Sequence, residues 1–333
     1  MTACSSAWRR WFYGVRGLWA RPGRLRIEAS TACQLRCPLC PTARGRVGQN
    51  LGVGFLQPAA LRGLLNENPQ IRRLELSNFG EAFLHPQLPE LLRIAWSRGV
   101  QVSFSNGVNF NRATPELLQA LVEFQVERLT CSIDGATQET YARYRVRGDL
   151  SQVLNHLRSL RQLQQQMGSP YPQLTWQFVE FDHNRHEISL ARELAAELGM
   201  KFRLKPNWSS TGSIDASASP ALHHQHCRQL WVDPQINFDG RLLGCCVNYW
   251  GDFGPNVFEV GLEAALNHPR MRAARRTVMG LQAPTPDLPC ATCPAYRSMK
   301  DNQSWVQPAE VYPPGWRRRL QQLAHAWESS YKM

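Results

Sequence analysis

The sequence has no run of about 20 apolar residues, the length that a membrane-spanning helix requires. Its first residues also lack the pattern of a secretory signal peptide, in which a basic segment precedes an apolar one and a cleavage site of small residues. We therefore expect a cytoplasmic protein. In a reducing compartment its ten cysteines are more often metal ligands than disulfide partners.

Acidic residues are scarce at both ends of the chain. Residues 1–26 hold six arginines and no acid, and residues 316–333 hold three arginines, one lysine and one glutamate, within a net charge of +12. We assign residues 1–24 to a basic aromatic segment and residues 301–333 to a basic C-terminal helix packed on the main domain. A helix on an anionic membrane surface is the alternative that we favour less, and we expect no nucleic-acid ligand.

Six β-rich segments alternate with helical segments through residues 25–207. The predicted strands are residues 25–30, 73–78, 101–107, 128–135, 174–181 and 201–207, and the predicted helices are residues 58–67, 87–98, 114–125, 149–167 and 186–199. Strict alternation implies an α/β fold with a parallel sheet and right-handed crossovers. Six units predict a partial (β/α)6 TIM-like barrel.

Three thiols follow the first predicted strand in a C-x3-C-x2-C run, Cys33, Cys37 and Cys40. The carboxyl ends of parallel strands are where α/β sheets place their ligand-binding loops. A zinc site with three cysteines and no nearby histidine is incomplete. A [4Fe-4S] cluster with three protein ligands instead leaves one iron open to a cofactor.

Past residue 207 the alternation ends. We predict a linker over residues 208–226 and a small irregular iron-sulfur domain over residues 227–300. In that domain Cys290 and Cys293 have C-x2-C spacing, which lets two thiolates reach one metal centre.

A second pair of thiols, Cys227 and Cys245, flanks a predicted hairpin with Asp239-Gly240 at its turn. The two pairs together provide four thiolates. A structural zinc site and unliganded buried cysteines are the alternatives.

These motifs resemble the radical S-adenosylmethionine (radical SAM) enzymes, in particular the branch with a C-terminal SPASM or twitch domain. The resemblance covers residues 25 to about 300. It includes the C-x3-C-x2-C run, the C-x12-G-x4-C spacing of Cys227, Gly240 and Cys245, and the stretch "CSIDGATQETYARYR". The chain departs from the pattern at Phe79, which replaces a glycine, and at Leu39, where many members have an aromatic residue.

Five cysteines stand in the C-terminal half instead of the seven of a full SPASM domain. The resemblance therefore implies one auxiliary [4Fe-4S] cluster on Cys227, Cys245, Cys290 and Cys293. It also implies a first [4Fe-4S] cluster on the C-x3-C-x2-C thiols that binds S-adenosylmethionine. Reductive cleavage would then give a 5′-deoxyadenosyl radical that abstracts a hydrogen atom from the substrate, with a flavodoxin- or ferredoxin-type electron donor.

The resemblance also implies residues that contact S-adenosylmethionine. By motif they are Gly80 and Glu81 after the second strand, Ser105 and Asn106 in the third, Ser132 in the fourth and Arg145 after it. Each has a plainer alternative. Glu81 can be a helix N-terminal charge, Ser105-Asn106-Gly107 a turn and Arg145 a surface residue.

The substrate is predicted from polar residues at the ends of strands five and six, Gln177, Glu180, Lys205 and Asn207. A polar lining favours a carbohydrate or glycosylated small molecule, which would be epimerised, oxidised or rearranged. Modification of a ribosomally made peptide is the alternative. A non-catalytic iron-sulfur or zinc protein is the alternative of a different class.

Cys246 is the thiol left over beside Cys245. We interpret it as a candidate catalytic residue that donates a hydrogen atom to a substrate radical, which would produce epimerisation. A small buried hydrophobic role and exchange with Cys245 as a ligand are its alternatives.

Overall fold

The computed structural model describes residues 20–207 and 220–312. Three predicted segments lie wholly or partly outside these ranges. They are most of the N-terminal segment 1–24, the first part of the linker 208–226, and the C-terminal helix 301–333 from residue 313 onwards. In the described ranges no helix is long and apolar enough to cross a membrane.

The six predicted strands are all present and form one open parallel sheet. They are β1 (Arg24–Ile27), β2 (Arg73–Glu75), β3 (Gln101–Val108), β4 (Arg128–Ser132), β5 (Gln173–Val179) and β6 (Lys201–Lys205). Their order in the sheet is their order in the chain, and every neighbouring pair is parallel. The predicted α/β class with a partial barrel is confirmed.

Helices connect the strands. They are α1 (Arg46–Leu51), α2 (Pro58–Glu67), α3 (Leu88–Trp96), α4 (Pro115–Glu123), α5 (Gln138–Tyr144), α6 (Leu150–Gln166) and α7 (Ile188–Glu197). Three of them begin at a side-chain cap, since Thr114, Thr137 and Asp149 each accept a hydrogen bond from the first turn. Short 3₁₀ turns occupy Ala82–Leu84 and Arg185–Glu187.

Side chains alternate between the two faces of the sheet. The outward ones are apolar and fully buried against the helices, as for Leu25, Phe104 and Trp176. The inward ones are polar and bond to each other across the strands: the Ser103 hydroxyl donates to Glu75 over 3.0 Å. The barrel interior is therefore lined mainly by polar side chains, unlike the apolar second face usual for a parallel sheet, and we refer to this polar inner side as the cavity side.

The C-terminal region continues the barrel sheet. It contains α8 (Pro220–Val232), β7 (Gln235–Ile236), β8 (Leu242–Gly244), α9 (Val257–Val260), α10 (Leu262–Leu266), α11 (Pro269–Val278), a 3₁₀ turn at Pro289–Thr292, α12 (Pro294–Asp301) and α13 (Pro308–Val311). The predicted hairpin forms, because β7 and β8 pair antiparallel, and β7 also pairs parallel with β1.

Helix α8 begins at Pro220, inside the range 208–226 predicted as linker. Cys227 consequently lies on a helix and not beside the hairpin strand. The core of the barrel extends into this region through Leu230 and Trp231.

Candidate functional site

The C-x3-C-x2-C loop follows β1 and covers the carboxyl end of the sheet. The Cys40 amide donates to the Cys37 carbonyl over 3.1 Å, which turns the loop back on itself. Leu35 and Cys37 are buried against Tyr144, Val179 and Phe181, with Cys33 and Cys40 beside them. The loop is thus anchored at the ends of α5 and β5.

Two of the three thiols on this loop have a hydrogen-bond donor. The side-chain nitrogen Nδ2 of Asn109 lies 3.9 Å from Cys33 Sγ, and Arg145 Nη1 lies 4.0 Å from Cys37 Sγ. Burial raises the pKa of Cys33 to about 12, and it also raises the pKa of Cys37, which Arg145 opposes. Both contacts stabilise the thiolate form. A bound metal centre would offset the free-energy cost of burying that negative charge.

Arg145 is held by a buried carboxylate. Its Nε donates to Asp134 Oδ2 over 2.6 Å, and Asp134 Oδ1 accepts from the Val179 amide over 2.7 Å. The guanidinium also lies over the Tyr144 ring, 5.5 Å from the centroid. The interpretation of Arg145 as a surface residue is therefore wrong, because its charge is directed into the site.

Gly80 lies where no side chain fits. A Cβ on this residue would meet the Ser30 carbonyl oxygen at 2.0 Å. The Glu28 carboxylate accepts from the amides of Phe79 and Gly80 at 3.0 and 3.1 Å, and burial raises the pKa of Glu28 to about 7. The loop after β2 is thus closely packed against the chain that leads into Cys33.

Glu81 uses its carboxylate inside the protein. It accepts from the Phe83 amide at 3.0 Å, which caps the short 3₁₀ turn, and from the Asn109 amide at 2.7 Å. Burial raises the pKa of Glu81 to about 7. The alternative of a helix N-terminal charge agrees with this position, since the side chain caps the 3₁₀ turn.

Ser105 and Asn106 belong to β3, so the alternative of a turn is wrong. The Ser105 amide donates to Glu75 over 2.8 Å, and the Asn106 side chain donates to Asn78 over 2.6 Å. Ser132 ends β4, where Gly107 makes room for it: a Cβ on Gly107 would meet the Ser132 hydroxyl at 2.3 Å. All three polar residues line one edge of the cavity.

The second group of thiols converges from three separate segments. Cys227 lies on α8, Cys245 follows β8, Cys290 lies on the 3₁₀ turn Pro289–Thr292, and Cys293 stands between that turn and α12. Burial raises the pKa of Cys227, and the charges of the other three thiols raise it further. Buried thiols that repel one another as anions ionise when a metal centre binds them.

Cys246 is held through its backbone beside Asn78 and Gln229. Its amide donates to Gln229 Oε1 over 2.8 Å, and its carbonyl accepts from the Asn78 side chain over 3.0 Å. After burial, the charges with the largest effect on its pKa are those of Arg26 and Asp233. Arg26 is an inward residue of β1, and a position of the Cys246 thiol on the cavity side stays a prediction.

The other predicted cavity residues separate into two groups. Gln177 is buried and accepts from Arg203 over 2.7 Å, and Lys205 is two residues beyond Arg203 on the same face. Glu180 instead pairs with exposed Arg185 over 2.6 Å, so its predicted place in the cavity is wrong. The alternation of β5 puts residue 180 on the face opposite Gln177.

Sequence reasoning missed several residues of the site. Asp134 holds Arg145, Asn109 contacts Cys33, and Glu75 accepts from β3. Glu75 follows from the period-two pattern of β2, where it comes after the core residue Leu74. Arg203 follows from that of β6, where it alternates with Phe202 and Leu204. The sequence has no comparable signal for Asn109.

The donor sets agree in chemistry with iron-sulfur clusters. All nine described cysteines are free thiols, and thiolates are the usual ligands of such clusters. In the described part of the chain, no three or more His, Cys, Asp or Glu side chains are grouped so as to hold a single metal ion. Ligands of a cluster bind different iron atoms and therefore stand farther apart than ligands of one ion.

Similar proteins were found by sequence and by structure, although no family model matches the chain. An AdoMet-dependent heme synthase of Methanosarcina barkeri is 28% identical over 180 residues, 54% of this chain and 48% of that protein. A GTP 3′,8-cyclase of Chlorobaculum tepidum is 30% identical over 132 residues, 39% of this chain and 38% of that protein. The chain thus spans about half or less of these relatives.

Streptococcus suis SuiB bound to S-adenosylmethionine superposes with a TM-score of 0.61 and 13% identity, over 84% of this chain and 72% of SuiB. These comparisons support membership of the radical SAM superfamily. At this identity the likeness to SuiB concerns the fold. The shared fold is the open parallel sheet described above, and a SPASM-type C-terminal domain stays a prediction.

Proposed function

We propose that this protein is a radical SAM enzyme that removes a hydrogen atom from a polar substrate bound in the barrel. The observation that carries the proposal is the C-x3-C-x2-C loop at the carboxyl end of the sheet, where Asn109 and Arg145 contact the thiols of Cys33 and Cys37. Cys33, Cys37 and Cys40 would hold a [4Fe-4S] cluster with one iron open.

With S-adenosylmethionine bound, such a cluster supplies a 5′-deoxyadenosyl radical through one-electron reduction, and a flavodoxin or ferredoxin would deliver the electron. The residues of the chain orient and shield that chemistry. Gly80 and the Glu81 backbone would lie along the methionine group of the cofactor, and Ser105, Asn106 and Ser132 would face its ribose. Arg145 would stabilise the Cys37 thiolate.

The thiols of Cys227, Cys245, Cys290 and Cys293 would hold one auxiliary cluster. Four ligands complete a cluster, so we infer a role in electron relay or in stabilising the C-terminal region. The mutual effect of these thiols on their pKa values supports this grouping.

A carbohydrate or glycosylated small molecule is the substrate class that we favour. The polar cavity supports it, because inward Ser103, Thr130 and Gln177 are all hydrogen-bonding side chains. Epimerisation, oxidation or rearrangement at one carbon would follow hydrogen abstraction. For epimerisation we assign Cys246 as the hydrogen-atom donor, and the effect of Arg26, an inward residue of β1, on its pKa supports this role. The thiyl radical left on Cys246 would be returned to the thiol by one electron from the proposed electron donor and one proton.

A ribosomally made peptide is the second candidate substrate. SuiB has been crystallised with its precursor peptide SuiA, and that structure superposes on 89% of this chain and 74% of SuiB, with a TM-score of 0.61 and 12% identity. Product analysis with sugar and peptide mixtures separates the two classes.

Anaerobic reconstitution tests the proposal. We expect the protein to bind iron and sulfide for two clusters and, with a reductant, to release 5′-deoxyadenosine from S-adenosylmethionine. A protein that takes up only zinc and releases no nucleoside is the non-catalytic alternative, and that result contradicts the proposal.

A further inference from the structure

Three cationic side chains lie on the inward face of strand β6. Lys201, Arg203 and Lys205 alternate with Phe202 and Leu204, and the strand pairs in register with β5. Lys201 is exposed at the start of the strand, whereas the other two are partly buried. Positive charge is therefore directed into the cavity at the carboxyl end.

Within the described part of the chain, Arg203 is bonded to neutral groups alone. Its Nη2 donates to Gln177 Oε1 over 2.7 Å and to the Ser105 carbonyl over 3.3 Å. Its Nε is buried and has no partner among the residues that the structure describes. Burial lowers the pKa of this guanidinium, and Glu75 opposes the effect from a distance.

Lys205 lies two residues farther along the same face, at the cavity end of the strand. Its ammonium makes no hydrogen bond or ion pair within residues 20–207 and 220–312. Burial first, and then the charge of Arg203, lower its pKa to about 8, while Asp134 and Cys246 act in the opposite direction. The register partner of Lys205 on β5 is Val179, which packs against Leu35 and Cys37 of the C-x3-C-x2-C loop.

Among the described residues, the nearby carboxylates of Glu75 and Asp134 form ion pairs with other arginines, Arg24 and Arg145, and not with Arg203 or Lys205. Glu75 accepts from the Ser77 hydroxyl at 2.7 Å and from the Ser105 amide at 2.8 Å. Asp134 is bonded to Arg145 and to the Val179 amide. A partly buried ammonium without an anionic contact costs free energy that a bound anion would recover.

We propose that Lys205, with Arg203 behind it, binds an anionic group of the substrate. The group is a carboxylate or a phosphate, so the substrate is an acidic or phosphorylated sugar held with that group at the carboxyl end of β6. This inference rests on the proposed function and specifies its substrate class. The competing source of such an anion is the carboxylate of S-adenosylmethionine itself.

The lysine content of the chain makes the site easy to probe. The sequence has four lysines, Lys201, Lys205, Lys300 and Lys332. Acetic anhydride acetylates neutral amines, and peptide mass spectrometry reports each lysine separately. An anion that raises the pKa of Lys205 by one unit lowers its neutral fraction about tenfold, with Lys201 of the same strand as the internal control.

The experiment uses the reconstituted full chain with saturating S-adenosylmethionine and then adds sulfate or acetate. We expect either anion to slow acetylation of Lys205 by about fivefold to tenfold and to leave Lys201 unchanged. If S-adenosylmethionine alone slows acetylation of Lys205 and the added anions have no further effect, the lysine binds the cofactor and the proposal is overturned. Acetylation that no addition slows overturns it as well.

A variant gives a second readout that does not depend on turnover. Lys205→Met should leave the dissociation constant of S-adenosylmethionine within about twofold, and a loss of about tenfold or more would overturn the proposal. Iron content and 5′-deoxyadenosine release are measured on the same preparation. Their failure in the unmodified chain contradicts the radical SAM assignment, whereas failure of anion protection alone contradicts the anion site.

Discussion

Arg145 joins the buried carboxylate of Asp134 to the thiol of Cys37: its Nε lies 2.6 Å from Asp134 Oδ2 and its Nη1 lies 4.0 Å from Cys37 Sγ. Asp134 has no exposed side-chain surface, and the arginine side chain is 15% exposed. One cation therefore balances a structural carboxylate and, in the proposed enzyme, a ligand thiolate.

Replacing Arg145 by Gln should destabilise the cluster-free protein, because Asp134 is left buried without a counter-ion. Removing one partner of a buried ion pair costs about 3 kcal/mol or more. Denaturant titration measures this change in the free energy of unfolding. The double variant Asp134→Asn, Arg145→Gln should recover most of the loss, and equal stability of Arg145→Gln and the unmodified chain would show that the pair contributes nothing.

Replacing Cys290 and Cys293 together by Ala should remove about half of the iron, because each [4Fe-4S] cluster depends on its own thiolates. The reduced spectrum of the barrel cluster should persist. We also expect lower protection of the C-terminal region in hydrogen exchange, since a structural metal centre contributes folding energy. Unchanged iron content in this variant would rule out the ligand set.

Cys246→Ala tests the hydrogen-donor role. The variant should retain both clusters and release 5′-deoxyadenosine, but it should not complete an epimerised product. In deuterated water the unmodified enzyme should place one deuterium on the inverted carbon, because thiol protons exchange with solvent. Product formation at the original rate by Cys246→Ala would favour an oxidative or rearranging reaction.

Anion binding at Lys205 should weaken as the pH rises through about 8, the lowered pKa of this ammonium. The protonated form is the one that binds, so affinity for sulfate should fall about tenfold for each pH unit above that value. The neighbouring charges are those of Arg203, Asp134 and Cys246. Lys201→Met should keep the profile and Lys205→Met should abolish it; a flat profile in the unmodified chain contradicts the site.

The sheet was predictable because its strands alternate core residues with polar ones. In β3, for example, Val102 and Phe104 face the helices, whereas Ser103 and Ser105 face the cavity. The short helices α1 and α5 were missed, since six or seven residues carry too little periodicity. Helix α8 was missed as well, because its start at Pro220 follows a stretch rich in Ser, Gly and Ala that is typical of a linker.

The candidate site was predictable where spacing along the chain carries the chemistry, as for Cys33, Cys37 and Cys40. It was not predictable where two strands or loops have to meet. The contact of Asn109 with Cys33 joins residues 76 positions apart, and that of Asn78 with Cys246 joins residues 168 apart. Such contacts depend on the packing of the whole barrel.

The most direct test of the radical SAM assignment compares Cys37→Ala with Cys131→Ala. Cys131 is a buried thiol on the outward face of β4, so its removal controls for the loss of a core sulfur. After anaerobic reconstitution, 5′-deoxyadenosine release from S-adenosylmethionine is measured together with iron content. We predict that Cys37→Ala loses about half of the iron and all nucleoside release, while Cys131→Ala keeps both. Nucleoside release by Cys37→Ala at a rate comparable to that of the unmodified chain would contradict the account.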